Sequence, residues 1–380
     1  MRIALEPRPA PSRSALFLAP VAAIALTLAA GAALLAILGH PPFEALWVYF
    51  VSPLLDGYSR SEVLVKAVPL ALIGAGLAVS FRANVWNIGA AGQYVLGALT
   101  AGALALSLEP SAYGLHWLAV YLAAGVAGGM AWAAIPALLA TRLRTNEILV
   151  SLMLTYVAAL LLDWAVRGPL RDPAGFGFPQ SADFPEAVLM PVILEGTRLH
   201  AGLIVAIVAC LGLAFMMRAT IKGFELKVLG DAPRAGAFAG FSRPAAVWFA
   251  LLLSGGLAGL AGAIEVSATV QQLQPDISAG YGFTAIIVAF LGRLNPAGAL
   301  VGAFLMAVSY IGGENAQIQL QLPRNVTGIF QGMLLFFLLA ADTSLRYRLR
   351  VGRASAAAPE GRGTDDGDRR DDAPDWEEVR

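Results

Sequence analysis

Phe81–Gly97 reads FRANVWNIGAAGQYVLG, and the fold turns on where that stretch is placed. It follows the apolar run Val68–Val79 and leads into another, Val95–Leu108. Between them lie Arg82, Asn84, Trp86, Asn87 and Gln93, with Gly89, Gly92 and Gly97. Such a sequence cannot face lipid, where each unpaired polar or backbone group costs several kcal/mol. It lines a cavity, packs inside a bundle, or turns at the membrane surface with Trp86 as a headgroup anchor.

The rest of the chain says that a membrane is present. It is 58% hydrophobic and 14% charged, against roughly half and a quarter for soluble domains. Apolar runs near the ~20-residue spanning length recur throughout. They are Ala15–Leu38, Val63–Val79, Ile88–Leu108, Leu115–Ala140, Ile148–Val166, Ala201–Met217, Ala245–Val266, Phe283–Leu291, Pro296–Ile311 and Asn325–Ala341. These predict an all-α polytopic protein of about ten transmembrane helices, in which the short Phe283–Leu291 run is broken or partly inserted. Residues 1–14 are a polar N-terminal segment, 15–341 the membrane domain and 342–380 a tail. Glu360–Arg380 holds nine of the 26 acidic residues and almost nothing apolar, which predicts disorder. Residues 168–200 form the longest outer segment and 218–243 a polar inner loop. Sixteen Lys and Arg fall on the proposed inner side and six on the outer, before the tail is counted. The positive-inside rule then places both termini in the cytoplasm.

Small residues recur four apart at Gly97–Ala101, Gly125–Gly129, Gly255–Gly259 and Gly298–Gly302. That spacing lets helix backbones approach where lipid supplies no hydrophobic drive. Gly259 and Gly262 are expected on the same packed face. AAGQYVLGALTAG (Ala90–Gly102) and SAGYGFTAIIVAFLG (Ser278–Gly292) each open a span with small residues and an aromatic, which suggests an inverted repeat.

No engine is visible. A phosphate-cradling loop needs Gly-Lys-Ser/Thr, and the lysines, Lys66, Lys222 and Lys227, do not follow glycine. An ion-driven carrier wants ionisable groups deep in the bilayer, whereas Glu147, Asp163, Glu265 and Glu314 fall near predicted span ends. The energy source is expected in a partner chain. His40, His116 and His200 lie in outer loops or at span edges, away from metal-ligand spacing, and Cys210 lies in an apolar run. No metal site, catalytic residue or nucleic-acid partner is expected.

Three motifs carry a family resemblance. NVWNIGAAGQYVLGA, TNEILVSLMLTYVA (Thr145–Ala158) and GDAPRAGAFAGF (Gly230–Phe241) resemble, in order, the signatures of permease subunits of bacterial ABC importers of the nucleoside and simple-sugar group. These are related to ribose-type and branched-chain-amino-acid-type permeases. Two departures are Thr155, where the family usually has Asn, and Gly236, where it commonly has Ala. The resemblance implies a type II ABC importer permease fold in the bacterial inner membrane. It implies a cytoplasmic ATPase that carries ATP and Mg, a second related permease subunit and an extracytoplasmic substrate-binding protein. This chain itself would hold no cofactor.

The resemblance also assigns coupling to the inner loop, at Gly230, Asp231, Pro233, Arg234, Ala235, Gly236, Phe238 and Gly240. Phe224–Gly230 and Pro233–Phe241 read as two short helices separated by GDAP, the second thin enough to enter a groove on another protein. The expected translocation pathway is Asn84, Trp86, Asn87, Gln93, Tyr94, Asn146, Glu147 and Tyr156, with Gln271, Gln272, Gln274, Asn315 and Gln317 towards the outside. These groups are mostly neutral and suit a neutral solute. A nucleoside is expected first and a simple sugar next; the alternative class is a self-contained carrier or channel.

Overall fold

The computed structural model of this chain describes residues 2–7, 13–109, 114–278, 280–323 and 325–352. The opening stretch is a buried break between two helices. α4 (Gly57–Arg82) stops where Asn84 takes φ 54°, and residues 83–89 run irregularly into α5 (Ala90–Leu106). Left-handed backbone is cheap for Asn among non-glycine residues, so the helix ends there. Asn84 is exposed, and the backbone beyond it is tied into the protein. Ser80 Oγ donates to the Val85 carbonyl at 2.8 Å, and the Ile88 N–H donates to Ser151 Oγ at 3.3 Å. Trp86 forms a triangle of rings with Phe81 and Phe290, centroids 4.8 and 6.3 Å away, and is a packed joint rather than a lipid anchor.

The chain before the break forms α1 (Arg13–Ile37), α2 (Pro42–Phe50) and α3 (Ser52–Leu55). After it come α6 (Leu115–Arg142), α7 (Glu147–Arg167), α8 (Gly202–Ala219), α9 (Ile221–Asp231) and α10 (Pro233–Phe238). The last helices are α11 (Arg243–Glu265), α12 (Tyr281–Leu291), α13 (Pro296–Leu320) and α14 (Asn325–Arg346). Starts follow from local chemistry. Asp56, Asn146 and Asn295 accept from Ser59, Ile148 and Ala297 backbone N–H groups at 2.8–3.1 Å, and Pro244 and Pro296 open α11 and α13.

Among the described residues six helices are long and apolar enough to cross a membrane: α4, α6, α7, α8, α11 with its π-turn Val266–Val270, and α13. Shorter apolar helices lie at Val21–Ile37, Pro42–Leu55, Ala90–Leu106, Tyr281–Leu291 and Asn325–Ala341. At 1.5 Å per residue α12 is only about 16 Å long, roughly half a hydrocarbon core. It packs against α4 and α13, within protein.

The chain ends differ from expectation. Residues 342–352, predicted as part of a disordered tail, continue α14 to Arg346 and form a strand, β2 (Tyr347–Gly352). It pairs antiparallel with β1 (Arg2–Pro7), Arg2 opposite Gly352 and Pro7 opposite Tyr347. Among the described residues the fold is therefore helical with one two-stranded ribbon. The signal was the two-residue alternation of Ile3, Leu5 and Tyr347, Leu349, Val351. Residues 353–380, the acidic part of the tail, lie outside the described residues.

α4 is the buried axis, with α11, α12, α13 and α8 around it. α11 packs closely on α5 and α6 through glycines. A Cβ on Gly97 would strike the Gly259 backbone, one on Gly129 the Gly255 carbonyl, and one on Gly259 the Gly125 carbonyl. The spacings at Gly97–Ala101, Gly125–Gly129 and Gly255–Gly259 thus fall in one three-helix seam, whereas Gly298 and Gly302 of α13 pack on the Gly292 and Val288 backbone. Gly262 does not share the α6 face with Gly259, because its Cβ would meet the Tyr94 carbonyl of α5. Three residues along a helix is about 300° of rotation, enough to turn the two glycines to different neighbours.

Candidate translocation cavity and coupling surface

The expected pathway residues separate into several environments. Asn87 and Gln93 are buried and locked together. Asn87 Nδ2 donates to Gln93 Oε1 at 2.7 Å and to Ser254 Oγ at 2.8 Å. Asn87 Oδ1 accepts from Gln93 Nε2 and from the Gly89 N–H, both at 3.1 Å. Every hydrogen-bonding position of the Asn87 side chain is used internally, so the pair ties the break to α11. Tyr94 is fully buried and donates to the Ile277 carbonyl at 3.2 Å. Asn84 is exposed and accepts from Trp86 Nε1 at 3.1 Å. Asn146 is the N-cap of α7, Glu147 is half-buried beside it, and Tyr156 lies 59% exposed on α7's outer face. The structure does not gather these eight residues around one cavity.

A polar cavity does exist elsewhere. About 620 Å³ opens among α4, α12, α13 and α14, lined by Lys66, Tyr281, Thr284, Tyr310, Glu314, Gln317 and Gln331 among others. Lys66 lies nine residues into α4, about 14 Å along its axis. Its Nζ donates to the Tyr281 hydroxyl at 2.8 Å. Thr284 Oγ1 bonds the Tyr310 hydroxyl at 2.9 Å and lies 3.2 Å from Gln331 Oε1. Gln331 Nε2 is buried without a partner. Behind Tyr281, Glu265 is buried within electrostatic reach of Lys66 and Arg198, and its Oε2 also lacks a partner. Arg198 forms a forked ion pair with the buried Glu62, which raises its pKa further. Lys66 and Arg198 thus face Glu62, Glu265 and Glu314 in the half of the bundle near Gly57. Gln317 was expected, and lines this cavity; Lys66, Tyr281, Thr284, Tyr310 and Gln331 were missed. Lys66 carried a signal, being the one lysine inside an apolar run.

Residues 168–200 cap this end. The Ser181 N–H donates to the Leu273 carbonyl at 3.0 Å, Ser181 Oγ accepts from the Leu273 N–H at 2.9 Å, and the Phe184 N–H donates to the Gln271 carbonyl at 2.8 Å. They satisfy the irregular backbone between α11 and α12, where Gln271 turns left-handed at φ 61° and is exposed. Gln272, Gln274 and Asn315 are half-buried. Burial pushes His200, just before α8, down to about 4.

At the opposite end, α9 and α10 form the expected helix pair around the GDAP break. Gly230 sits directly on the end of α4, where a Cβ would strike the Arg82 carbonyl, and Asp231 lies 3.9 Å from the Arg82 guanidinium. Pro233 opens α10, and Gly240 takes φ 82° beyond its end. Gly236 corrects the expectation of a thin outward face. It is buried, and its Cβ would meet Leu229 Cδ2 of α9 at 2.8 Å. The outward face instead presents Arg234, Ala235 and Phe238, the last 98% exposed. An exposed phenylalanine amid small residues fits insertion into a partner's pocket. Among the described residues no group of three His, Cys, Asp or Glu is placed to hold a metal ion.

Residues 59–339 match the family model described as branched-chain amino acid transport system / permease component. The glucose ABC transporter permease protein TsgB13 of Haloferax volcanii is 36% identical, over 87% of this chain and 89% of its own length. The guanosine ABC transporter permease protein NupP of Bacillus subtilis is 30% identical, over 87% and 94%. The nucleoside ABC transporter permease protein NupB of Lactococcus lactis is 26% identical, over 84% and 90%. No solved structure matches the chain.

Proposed function

We propose that this chain, which belongs to the branched-chain amino acid transport permease family, is the membrane subunit of an ABC importer for a nucleoside or a simple sugar. One observation carries the solute class. The cavity between α12 and α14 offers hydroxyls of Tyr310 and Thr284, the amides of Gln317 and Gln331, and Glu314 at its wall. Gln331 Nε2 is buried beside the Tyr310 hydroxyl without a full-geometry acceptor, and a solute hydroxyl would supply one. Hydroxyl-rich neutral molecules satisfy such a set. Lys66 and Glu314 also line the cavity, so the preference for a neutral solute rests on the hydroxyls and amides that make up most of its polar wall. The relatives named for guanosine, nucleoside and glucose transport support the same class.

The working assembly adds a cytoplasmic ATPase that binds ATP and Mg, docked on the Arg234–Phe238 face, a second related permease and an extracytoplasmic binding protein. About ten membrane crossings, with both termini cytoplasmic, accommodate the six long helices and the shorter ones. An inverted repeat of α4–α7 with α11–α14 is supported by packing: α4 lies on α12 and α13 as α11 lies on α5 and α6. α4 ends, and α11 begins, at the Arg82 side, so the two units run in opposite directions.

The test is competition for uptake in cells carrying the whole system. Uridine, adenosine or glucose should compete, and leucine and glutamate should not. Competition by amino acids alone would overturn both the cavity argument and the solute class.

A further inference from the structure

The geometry points to a second site: a pocket at the coupling end that binds the phosphodiester headgroup of an anionic phospholipid. It occupies about 600 Å³ where α4, α8, α9 and the α12–α13 turn meet. Four cations line it, Arg82, Arg218, Lys227 and Arg293, and no acidic residue is among the lining residues. They come from four separate segments, so no single helix face explains the cluster. Arg82 and Arg218 lie in the last turns of two apolar helices, α4 and α8, which is headgroup level for a spanning helix. The pocket is far from the Lys66–Gln331 cavity and plays no part in the solute reading above.

The walls name the occupant. Phe215 of α8 lines the pocket and is 69% exposed. From it an apolar stripe runs up α8 through Leu211, Val208 and Ile204, each more than half exposed. A free anion would use the cations and leave this stripe idle. An acidic protein segment would use the cations and find no reason for a ridge running along a membrane helix. A phospholipid uses both: phosphate against the guanidinium and ammonium groups, one acyl chain along α8. The neighbouring Asp231 draws on Arg82 at 3.9 Å and Arg293 has an interaction of its own within the chain, which makes Arg218 and Lys227 the cations to test.

The full-length chain, purified in a neutral detergent, is exposed to equal phosphatidylglycerol and phosphatidylcholine, and retained lipid is counted by native mass spectrometry. Wild type should prefer phosphatidylglycerol by about tenfold or more, and the Arg218→Gln/Lys227→Gln chain should retain about thirtyfold less of it, at roughly fivefold per cation near a membrane surface. Arg218→Lys/Lys227→Arg keeps the charge and should keep the preference, which separates binding from misfolding. Phe215→Ser should weaken retention although every cation remains. Three results overturn the proposal. They are unchanged retention in the Gln chain, displacement of the lipid by inorganic phosphate alone, and loss of ATPase association in the Gln chain with lipid retention intact.

Discussion

Gly259→Ala adds one methyl group at the centre of the α5–α6–α11 seam. Its Cβ would lie on the Gly125 carbonyl, 2.9 Å from Gly129 Cα and 2.9 Å from Gly129 N. All three are backbone atoms, so no side chain can swing away and a helix must move. Overpacking of this kind costs about 1–3 kcal/mol, and a backbone clash belongs at the upper end. Alanine's better helix propensity returns about 1 kcal/mol. The net expectation is a loss of about 2 kcal/mol, roughly thirtyfold in the folded-to-unfolded ratio. Gly212→Ala is the matched control, because nothing lies within 4 Å of its added Cβ on α8. There only the propensity gain remains, so the two identical substitutions should differ by about 3 kcal/mol with opposite signs. The assay is unfolding in SDS titrated into mild detergent, followed by tryptophan fluorescence. If Gly259→Ala matches wild type or exceeds Gly212→Ala, the close backbone contact does not exist.

Further outcomes follow from the site. Lys66→Met should cut uptake by more than tenfold, since it removes the cation beside buried Glu265, while Lys66→Arg should retain part of it; equal uptake by Met and wild type would remove Lys66 from the pathway. Phe238→Ser should abolish ATP-driven uptake without shifting the unfolding midpoint, because the ring touches nothing in this chain; normal uptake would move the docking face elsewhere. His200 stays neutral in the folded chain to about pH 4 but takes a proton below about 6.5 when unfolded. Its contribution is therefore complete above pH 6.5 and is lost as pH falls towards 4, by at most about 3 kcal/mol. His200→Gln should flatten that part of the stability–pH profile, and an unchanged slope would assign it to other groups.

What could be read in advance was whatever rests on local chemistry or fixed spacing. Asn84 and the glycines of Phe81–Gly97 announce a break, GDAP announces the α9–α10 turn, and four-residue glycine spacing announces the seam. Direction was harder. Gly236 was expected to face a groove on another protein, but a small residue gives no sign of the side from which a neighbour approaches, and Leu229 of the same chain fills the space. Tyr156 and Asn146 were drawn to the pathway by their position within a motif, although one faces outward and the other caps a helix. The cavity was hidden because its partners are remote: Lys66 and Tyr281 are 215 residues apart. Only packing α12 against α4 brings them together.

That same packing makes α4 the element shared by both ends of the molecule. Its first half carries Glu62 and Lys66, which meet Arg198 and Tyr281. Its last residue, Arg82, is the seat for Gly230 and the ion-pair partner of Asp231. Between them α4 is buried almost throughout, and a close-packed helix passes displacement along its length instead of absorbing it. Pro69 interrupts the hydrogen-bond ladder three residues beyond Lys66, removing one rung near the charge that faces the cavity. On the proposed docking of the ATPase at α9 and α10, α4 is the one continuous helix that leads from that face to the cavity, and Pro69 beside Lys66 is where a bend in it would first alter the Lys66–Tyr281 contact.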